Sequence, residues 1–281
     1  MPELPEIEIV ARRIGEAVRG AEIESALAPG VNTLRSFDPP LHALDGRALV
    51  GVRRRGKLLL VDVTGDLTVL VHLMSAGRLQ LFPKRAGPRD RTSRLLLRLA
   101  GERELRLREF GTRQSAWAKL LPTASVEEDE TISTLGPEAW PDPPPFEELL
   151  AHPRPLHNLL RDQRVIAGVG RSWVDEILHA ACLSPFKRGD DLDADEAEAL
   201  RRATATALGG ALDFYERTLT LPIPDKLPMP LAVHRRQGEP CPRCGTRLEA
   251  VFYEDYVMTY CPVCQTEGRV LKDRRLSRLL K

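Results

Sequence analysis

Four cysteines near the C-terminal end constrain this chain more than any other feature. Cys241 and Cys244 form one Cys-x2-Cys pair, Cys261 and Cys264 form another, and sixteen residues separate the two. That spacing suits a four-cysteine zinc site. Four thiolates close the tetrahedron, so the zinc would be structural, with no open position for hydrolysis. A disulfide framework does not suit a chain of 281 residues with no export signal. The fifth cysteine, Cys182, stands beside Ala180, Ala181 and Leu183 and is expected in a buried core.

A hydrophobic content of 42% is enough for one or two ordinary cores and excludes a disordered class. No run of eighteen apolar residues and no basic-then-apolar leader occurs, so a soluble, cytoplasmic protein with no membrane partner is expected. The net charge is only +1, but it is unevenly placed. Arg53, Arg54, Arg55 and Lys57 cluster early, and six basic residues face two acidic ones between Gln265 and Lys281. Each cluster reads as a solvated face or as a stripe on a DNA-binding surface.

Along the chain, Leu49–Val52, Leu58–Val63, Leu67–Leu73, Leu95–Leu99 and Leu105–Arg108 read as strands. Turn residues such as Thr64-Gly65-Asp66 and Gly101-Glu102 separate them at hairpin distance. A β-rich domain over 1–125 follows, flanked by an amphipathic N-terminal helix that carries Ile7, Val10, Ile14 and Val18. An acidic run and seven prolines make 126–155 the expected connection. Helical periodicity resumes at Leu156–Leu160, Val174–Cys182 and Asp193–Tyr215, giving a mostly helical domain over 156–225. Leu221–Pro230, with four prolines, leads into the cysteine module over 232–266, and 267–281 is a basic tail.

The first six residues, Met1-Pro2-Glu3-Leu4-Pro5-Glu6, carry potential chemistry. With Met1 removed, Pro2 is a secondary amine in the α-amino class, which titrates near ~7.7–8.0 and can attack an electrophilic carbon. Its iminium product keeps a positive charge and acts as an electron sink. Glu3 and Glu6 are the nearby carboxylates that would move protons. Alternatively, Pro2 simply starts the helix.

This start resembles that of the formamidopyrimidine-DNA glycosylase/endonuclease VIII family, and four further motifs follow in the family's order. Lys57 after Arg55-Gly56 is similar to the family's strand lysine. Arg108-Glu109-Phe110-Gly111 is similar to its Arg-x-Phe-Gly loop, and Gln163 to Glu176 to its helix-two-turns-helix motif. Gly238 to Gly245 matches its cysteine module closely. The resemblance implies an α+β multidomain fold: an N-terminal helix with a β-sandwich, a helix-two-turns-helix domain and a C-terminal zinc-ribbon β-hairpin. It implies Pro2 as nucleophile, Glu3 as general acid, Lys57 on the substrate's phosphate and sugar, and Glu176 near the sugar. It also implies that Arg108 contacts the base left unpaired while Phe110 wedges between its neighbours, a known type of insertion. One structural zinc and damaged double-stranded DNA are the implied cofactor and partner, and a monomer is expected.

Several positions depart from the family's pattern. His72-Leu73-Met74-Ser75-Ala76-Gly77 places Ser75 at the third void-filling position without a gap, and Met74 with a one-residue slip. After Gly168 and Gly170, where the backbone can approach a phosphate, Arg171 replaces an asparagine and Trp173 a tyrosine. An arginine can make the same phosphate contact with longer reach. Tyr256 stands where most members have a phosphate-binding arginine, and the tail residues Arg269, Lys272, Arg274, Arg275 and Arg278 are alternative sources of positive charge. The implied activity is excision of formamidopyrimidine and 8-oxoguanine followed by strand cleavage. An endonuclease VIII-like enzyme for oxidised pyrimidines and a damage-binding protein with weak or lost excision are the alternatives.

Overall fold

The computed structural model describes residues 2–87, 90–110, 114–253 and 256–271. The chain divides into two compact units: 1–134 with 212–228, and 135–211 with 229–281.

The first unit opens with helix α1 (Leu4–Val18), whose buried stripe includes Ile7, Val10, Ile14 and Val18. A sandwich of two four-stranded antiparallel sheets follows. Strands β1 (Ile23–Leu27), β5 (Gly77–Phe82), β6 (Ser93–Leu99) and β7 (Glu104–Glu109) lie in the order β1-β6-β7-β5. Strands β2 (Leu49–Arg55), β3 (Leu58–Val63), β4 (Leu67–His72) and β8 (Trp117–Pro122) form the second sheet in that order. The five strands expected from alternation are present, and β1, β5 and β8 are additional. Turn chemistry sets the register: Gly65 and Asp66 have φ of 78° and 58° between β3 and β4, and Gly101 and Glu102 have 75° and 65° between β6 and β7, conformations of primed hairpin turns. Gly15 lets α1 lie close on β2, since a Cβ there would sit 3.1 Å from the Val52 nitrogen.

The second unit holds short helices α3 (Phe146–Leu149) and α4 (Leu156–Leu159), then α5 (Arg171–Ala180). The first unit ends at Thr134, just after the one-turn helix α2 (Glu130–Ser133). The proline-rich stretch is therefore more than a connection: residues 135–155 pack as part of the second unit. Helix α6 (Ala194–Thr218) is the longest, with a buried stripe at Ala197, Leu200, Thr204, Leu208, Ala211, Leu212 and Tyr215. Its last turns, from Leu212, belong to the first unit. There Arg12 and Arg13 of α1 pair with Glu216 at 2.9 and 2.7 Å. The cysteine module carries a hairpin of β9 (Glu249–Phe252) and β10 (Val257–Tyr260), closed by α7 (Pro262–Thr266).

Cys182 is exposed rather than buried. It occupies the left-handed position, φ 57°, of a Schellman stop after α5, with Cys182 N–H donating to His179 O at 3.1 Å and Leu183 N–H to Leu178 O at 3.0 Å. The apolar contact falls one residue later, to the buried Leu183, which the apolar neighbours of Cys182 did not distinguish.

Tyr215 reaches α1 from α6: its hydroxyl donates to Glu6 Oε1 at 2.8 Å, and both residues are buried. Removing that donor in Tyr215→Phe leaves a buried carboxylate oxygen short of a partner, so a loss of about 1–3 kcal/mol is expected. Urea denaturation of the two proteins measures it; equal midpoints and slopes would mean that Glu6 is satisfied without Tyr215.

Candidate functional site

Pro2 and Glu3 lie at the entrance of α1, both buried. Glu3 caps the helix, and a capping box joins it to Glu6: the Glu3 N–H donates to Glu6 Oε2 at 2.9 Å, and the Glu3 side chain accepts from the Glu6 N–H. Glu3 and Glu6 are each only 2% exposed. With Tyr215 on Oε1, Glu6 has donors on both oxygens. Glu6, expected as a proton carrier, is thus buried with its carboxylate paired, as a carboxylate shielded from water must be. Burial and then the Glu6 charge push the Tyr215 phenol well above its ordinary value, so it remains a donor.

Lys57 stands in the tight turn between β2 and β3, after Gly56 with φ 55°. Its charge is felt at His72 on β4. Burial, then Lys57 and Arg35, push the His72 imidazole down to about 4. The neutral ring accepts the Met74 N–H on Nδ1 at 2.8 Å and stacks on Trp117 with centroids 5.6 Å apart. His72 was missed by sequence reasoning, although it lies in the motif that holds Met74. The turn after it closes through Gly77 N–H to Leu73 O at 2.8 Å, and a Cβ on Gly77 would come within 2.3 Å of that oxygen. Met74 is half-buried with φ 50°, and Ser75 is exposed at the tip.

Arg108, on β7, is held on three sides. Its Nε donates to Thr92 Oγ1 at 2.9 Å, and its Nη1 to Gln80 Oε1 at 3.1 Å and Asp225 Oδ1 at 3.0 Å. Its guanidinium also lies over the Phe110 ring, 4.6 Å from the centroid. Phe110 is the exposed member of the pair, at 42%; Gly111 lies outside the described residues. Asp225 belongs to the proline-rich 221–228 segment, which Gln80 and Arg78 also fasten through Ile223 O at 2.6 Å and Asp225 O at 2.7 Å. Periodicity gave no sign of this strap, since its bonds join residues more than a hundred positions apart.

In the second unit, Gly168 has φ 108° and donates its N–H to Gln163 Oε1 at 3.0 Å, while Gly170 caps α5. Arg171 begins that helix. Its guanidinium lies 5.2 Å from the centre of the Tyr256 ring, and that of Arg161 lies 4.4 Å away. Tyr256 stacks in turn on Tyr253 at 4.3 Å and on the buried His157 at 5.7 Å. The tyrosine that replaces an arginine therefore gathers two arginines around itself. Arg269 is exposed and pairs with Glu267 at 2.7 Å; the tail residues 272–281 lie outside the described residues.

Glu176 has a structural task that the sequence did not suggest. Its Oε2 accepts the Ala232 N–H at 3.0 Å, and its Oε1 accepts those of Val233 and His234 at 2.9 and 2.8 Å. Burial raises its carboxyl above the ordinary value against the pull of these donors. Neighbouring Asp175 accepts the Thr259 N–H at 3.0 Å and pairs with His234 Nδ1 at 2.7 Å.

The Sγ atoms of Cys241, Cys244, Cys261 and Cys264 all lie within 4.8 Å of one another. Cys244 and Cys261 are 3.5 Å apart, and Cys241 and Cys264 are 3.9 Å apart. Thiolates at ~2.3 Å from one tetrahedral ion are separated by ~3.8 Å, so these four can hold a metal ion. The Arg243 and Cys264 N–H groups point at Cys241 and Cys261 Sγ, each at 3.4 Å, and support thiolate charge.

Sequence models of two domains match the chain: the formamidopyrimidine-DNA glycosylase N-terminal domain over residues 1–113 and the formamidopyrimidine-DNA glycosylase H2TH domain over 136–222. The formamidopyrimidine-DNA glycosylase of Moorella thermoacetica is 33% identical over 89% of this chain and 94% of its own. That of Thermus thermophilus is 33% identical over 95% and 100%. The chain belongs to the formamidopyrimidine-DNA glycosylase/endonuclease VIII family. Among solved structures, Lactococcus lactis Fpg bound to DNA containing N7-benzyl-Fapy-dG superposes with a TM-score of 0.84 at 26% identity, covering 94% of this chain and 100% of that one. The same protein bound to abasic-site DNA gives 0.83 at 26%, covering 94% and 99%.

The His72 geometry sets a pH dependence. Its folded value, about 4, lies below the unfolded value near 6.5, so between these pH values the unfolded chain binds more protons and stability falls as pH falls. The difference corresponds to about 3 kcal/mol at most. His72→Asn keeps an acceptor for the Met74 N–H and removes the titration. The stability advantage of the wild type over this variant is therefore expected to shrink from pH 6.5 to pH 4 in denaturant titrations; a constant difference would contradict the assignment.

Proposed function

We propose that this protein is a bifunctional DNA glycosylase and abasic-site lyase of base excision repair. Formamidopyrimidine and 8-oxoguanine in duplex DNA are its favoured lesions, and it acts as a monomer in the cytoplasm with the chromosome. The observation that carries this reading is the buried entrance of α1, where Pro2 stands next to Glu3, whose capping box with Glu6 is completed by the Tyr215 hydroxyl on Glu6. Family membership and the glycosylase names of its relatives support the same reading. Among the described residues, no helix is long and apolar enough to cross a membrane.

With Met1 removed, the Pro2 amine attacks C1′ of the damaged nucleotide. The glycosidic bond breaks, and the base leaves with its electron pair and a proton delivered through Glu3. The sugar C1′–O4′ bond then opens, O4′ taking up a proton as the amine loses its own, and an iminium results. It makes the C2′ proton acidic, and loss of that proton to a base expels the 3′ phosphate as the C3′–O3′ bond breaks. Glu6 holds Glu3 in place. Lys57 supplies positive charge to the phosphate and sugar, Phe110 enters the stack with Arg108 beside it, and Met74 lies close to the exposed Ser75 as the third group at the void. Glu176, occupied by three N–H donors, acts by holding the cysteine module rather than in the chemistry. The four-cysteine site takes one zinc ion, which stabilises the hairpin that carries Tyr256.

Arg171 and Arg161, grouped on Tyr256, supply the positive charge for the DNA backbone that a hairpin arginine supplies elsewhere, with Arg269 as a peripheral contact. Each phosphate contact adds about 0.9 to the slope of log K against log salt. Replacing both Arg161 and Arg171 by Ala is expected to flatten that slope by about two, measured by fluorescence anisotropy on an abasic duplex. An unchanged slope would move the phosphate contact to the tail.

Borohydride trapping tests the chemistry. Processed protein is expected to form a covalent adduct on duplexes carrying 8-oxoguanine opposite cytosine or a plain abasic site, Pro2→Gly to keep part of the lyase activity, and an N-terminal extension to abolish trapping. Adducts on the abasic duplex alone would point to other lesions, such as the oxidised pyrimidines of an endonuclease VIII-like enzyme. No adduct on either duplex would favour a damage-binding protein, and equal trapping by extended and processed protein would exclude Pro2 as nucleophile.

A further inference from the structure

Helix α5 meets the cysteine module through polar side chains spaced one turn apart. Asp175 takes the Thr259 N–H and Glu176 takes three N–H groups of 232–234. A turn later, Arg243 of the first knuckle donates to Ala180 O at 2.9 Å and also contacts Cys182 Sγ. Between them stands His179, whose Nε2 lies 3.2 Å from Cys241 Sγ. Both residues are buried, at 7% and 3% exposure.

The His179 contact differs from the others because it reaches one of the four thiols that can hold a metal ion. A free thiol could give its proton to the imidazole. A metal-bound thiolate has no proton to give, so the hydrogen in this contact must then belong to Nε2. The same sulfur faces the Arg243 N–H at 3.4 Å. A thiolate that accepts two N–H groups shares its charge with them, which fixes the direction of its lone pairs toward the ion and lowers its reactivity. Groups of this kind, one step outside the ligands, orient them and tune the metal.

We propose that His179 is a positioning residue of the metal centre: its Nε2–H donates to the Cys241 thiolate and ties the ion to helix α5. Metal occupancy and the placement of the first turn of α5, with Gly170 and Arg171, are then set together. This rests on the reading of the four cysteines as a zinc site.

The test uses the full-length protein. Wild type is expected to carry one zinc per chain by elemental analysis. His179→Phe, of similar size without a donor, is expected to release zinc to a chromogenic chelator about 10–100 times faster. His179→Gln, which keeps an N–H donor, is expected to recover much of the wild-type rate. In the cobalt-substituted proteins, the sulfur-to-cobalt charge-transfer band should shift in the Phe variant and return in the Gln variant, which loss of packing alone would not produce. Amide exchange in α5 should speed up when zinc is removed from wild type, and in His179→Phe with zinc still bound.

A wild type that binds no zinc would overturn the metal reading, and this proposal with it. A zinc-loaded wild type matched by His179→Phe in release rate and cobalt spectrum would overturn the proposal and leave the metal reading standing. Should the Phe variant not fold, cadmium-113 NMR of the wild type decides. Coupling between the ion and the His179 Nε2 proton is expected; a ring protonated only on Nδ1 would overturn the proposal.

Discussion

A carboxylate buried at 2% exposure has to be paired with donors, and Glu6 draws them from both near and far in the chain. A local donor is the Glu3 N–H three residues back; a distant one is the Tyr215 hydroxyl, 209 positions away. Satisfying Glu6 therefore joins the start of α1 to the end of α6, and the Arg12 and Arg13 pairs with Glu216 reinforce the same junction. Glu3 is tied into this network by its capping box with Glu6 and Pro2 adjoins it in the chain, so the proposed nucleophile and acid sit beside bonds made before any substrate is present. This is preorganisation of the kind that fixes reacting groups before substrate arrives.

The second unit uses carboxylates differently. Asp175 and Glu176 are adjacent on α5, and both accept backbone N–H groups from the cysteine module. Helix and module are thereby joined through specific directions rather than through apolar contact alone. Tyr256 extends the connection, since it stacks on His157 and draws Arg161 and Arg171 to its ring. Positive charge absent from the hairpin is found instead on residues that lean against it.

How much was legible in the sequence follows from the range of each interaction. The α1 stripe, the hairpin turns at Gly65 and Gly101, the α6 stripe and the four-cysteine spacing are local patterns, and each appears in the structure where the pattern placed it. Strands β1, β5 and β8 lay outside the segments recognised by alternation. The partners of Glu6 and Glu176 were not legible, because the donors to a carboxylate cannot be read from its neighbours in the chain. Nor was the strap at 221–228, whose proline content marked a break but not the Gln80, Arg78 and Arg108 contacts that fasten it. Cys182 shows the same limit at short range: apolar neighbours suggested burial, but the left-handed backbone after α5 turned its side chain outward.

The sequence by itself determined the family, the amphipathic stripe of α1, the hairpin turns and a cysteine spacing that admits a metal ion, because each is written in local motifs. Only the tertiary structure decided which partners each polar group finds. Glu3 and Glu6 look equivalent as letters, and so do Arg108 and Arg171. They are separated by Tyr215, by Asp225 and by Tyr256, partners that arrive from distant parts of the chain once it has folded.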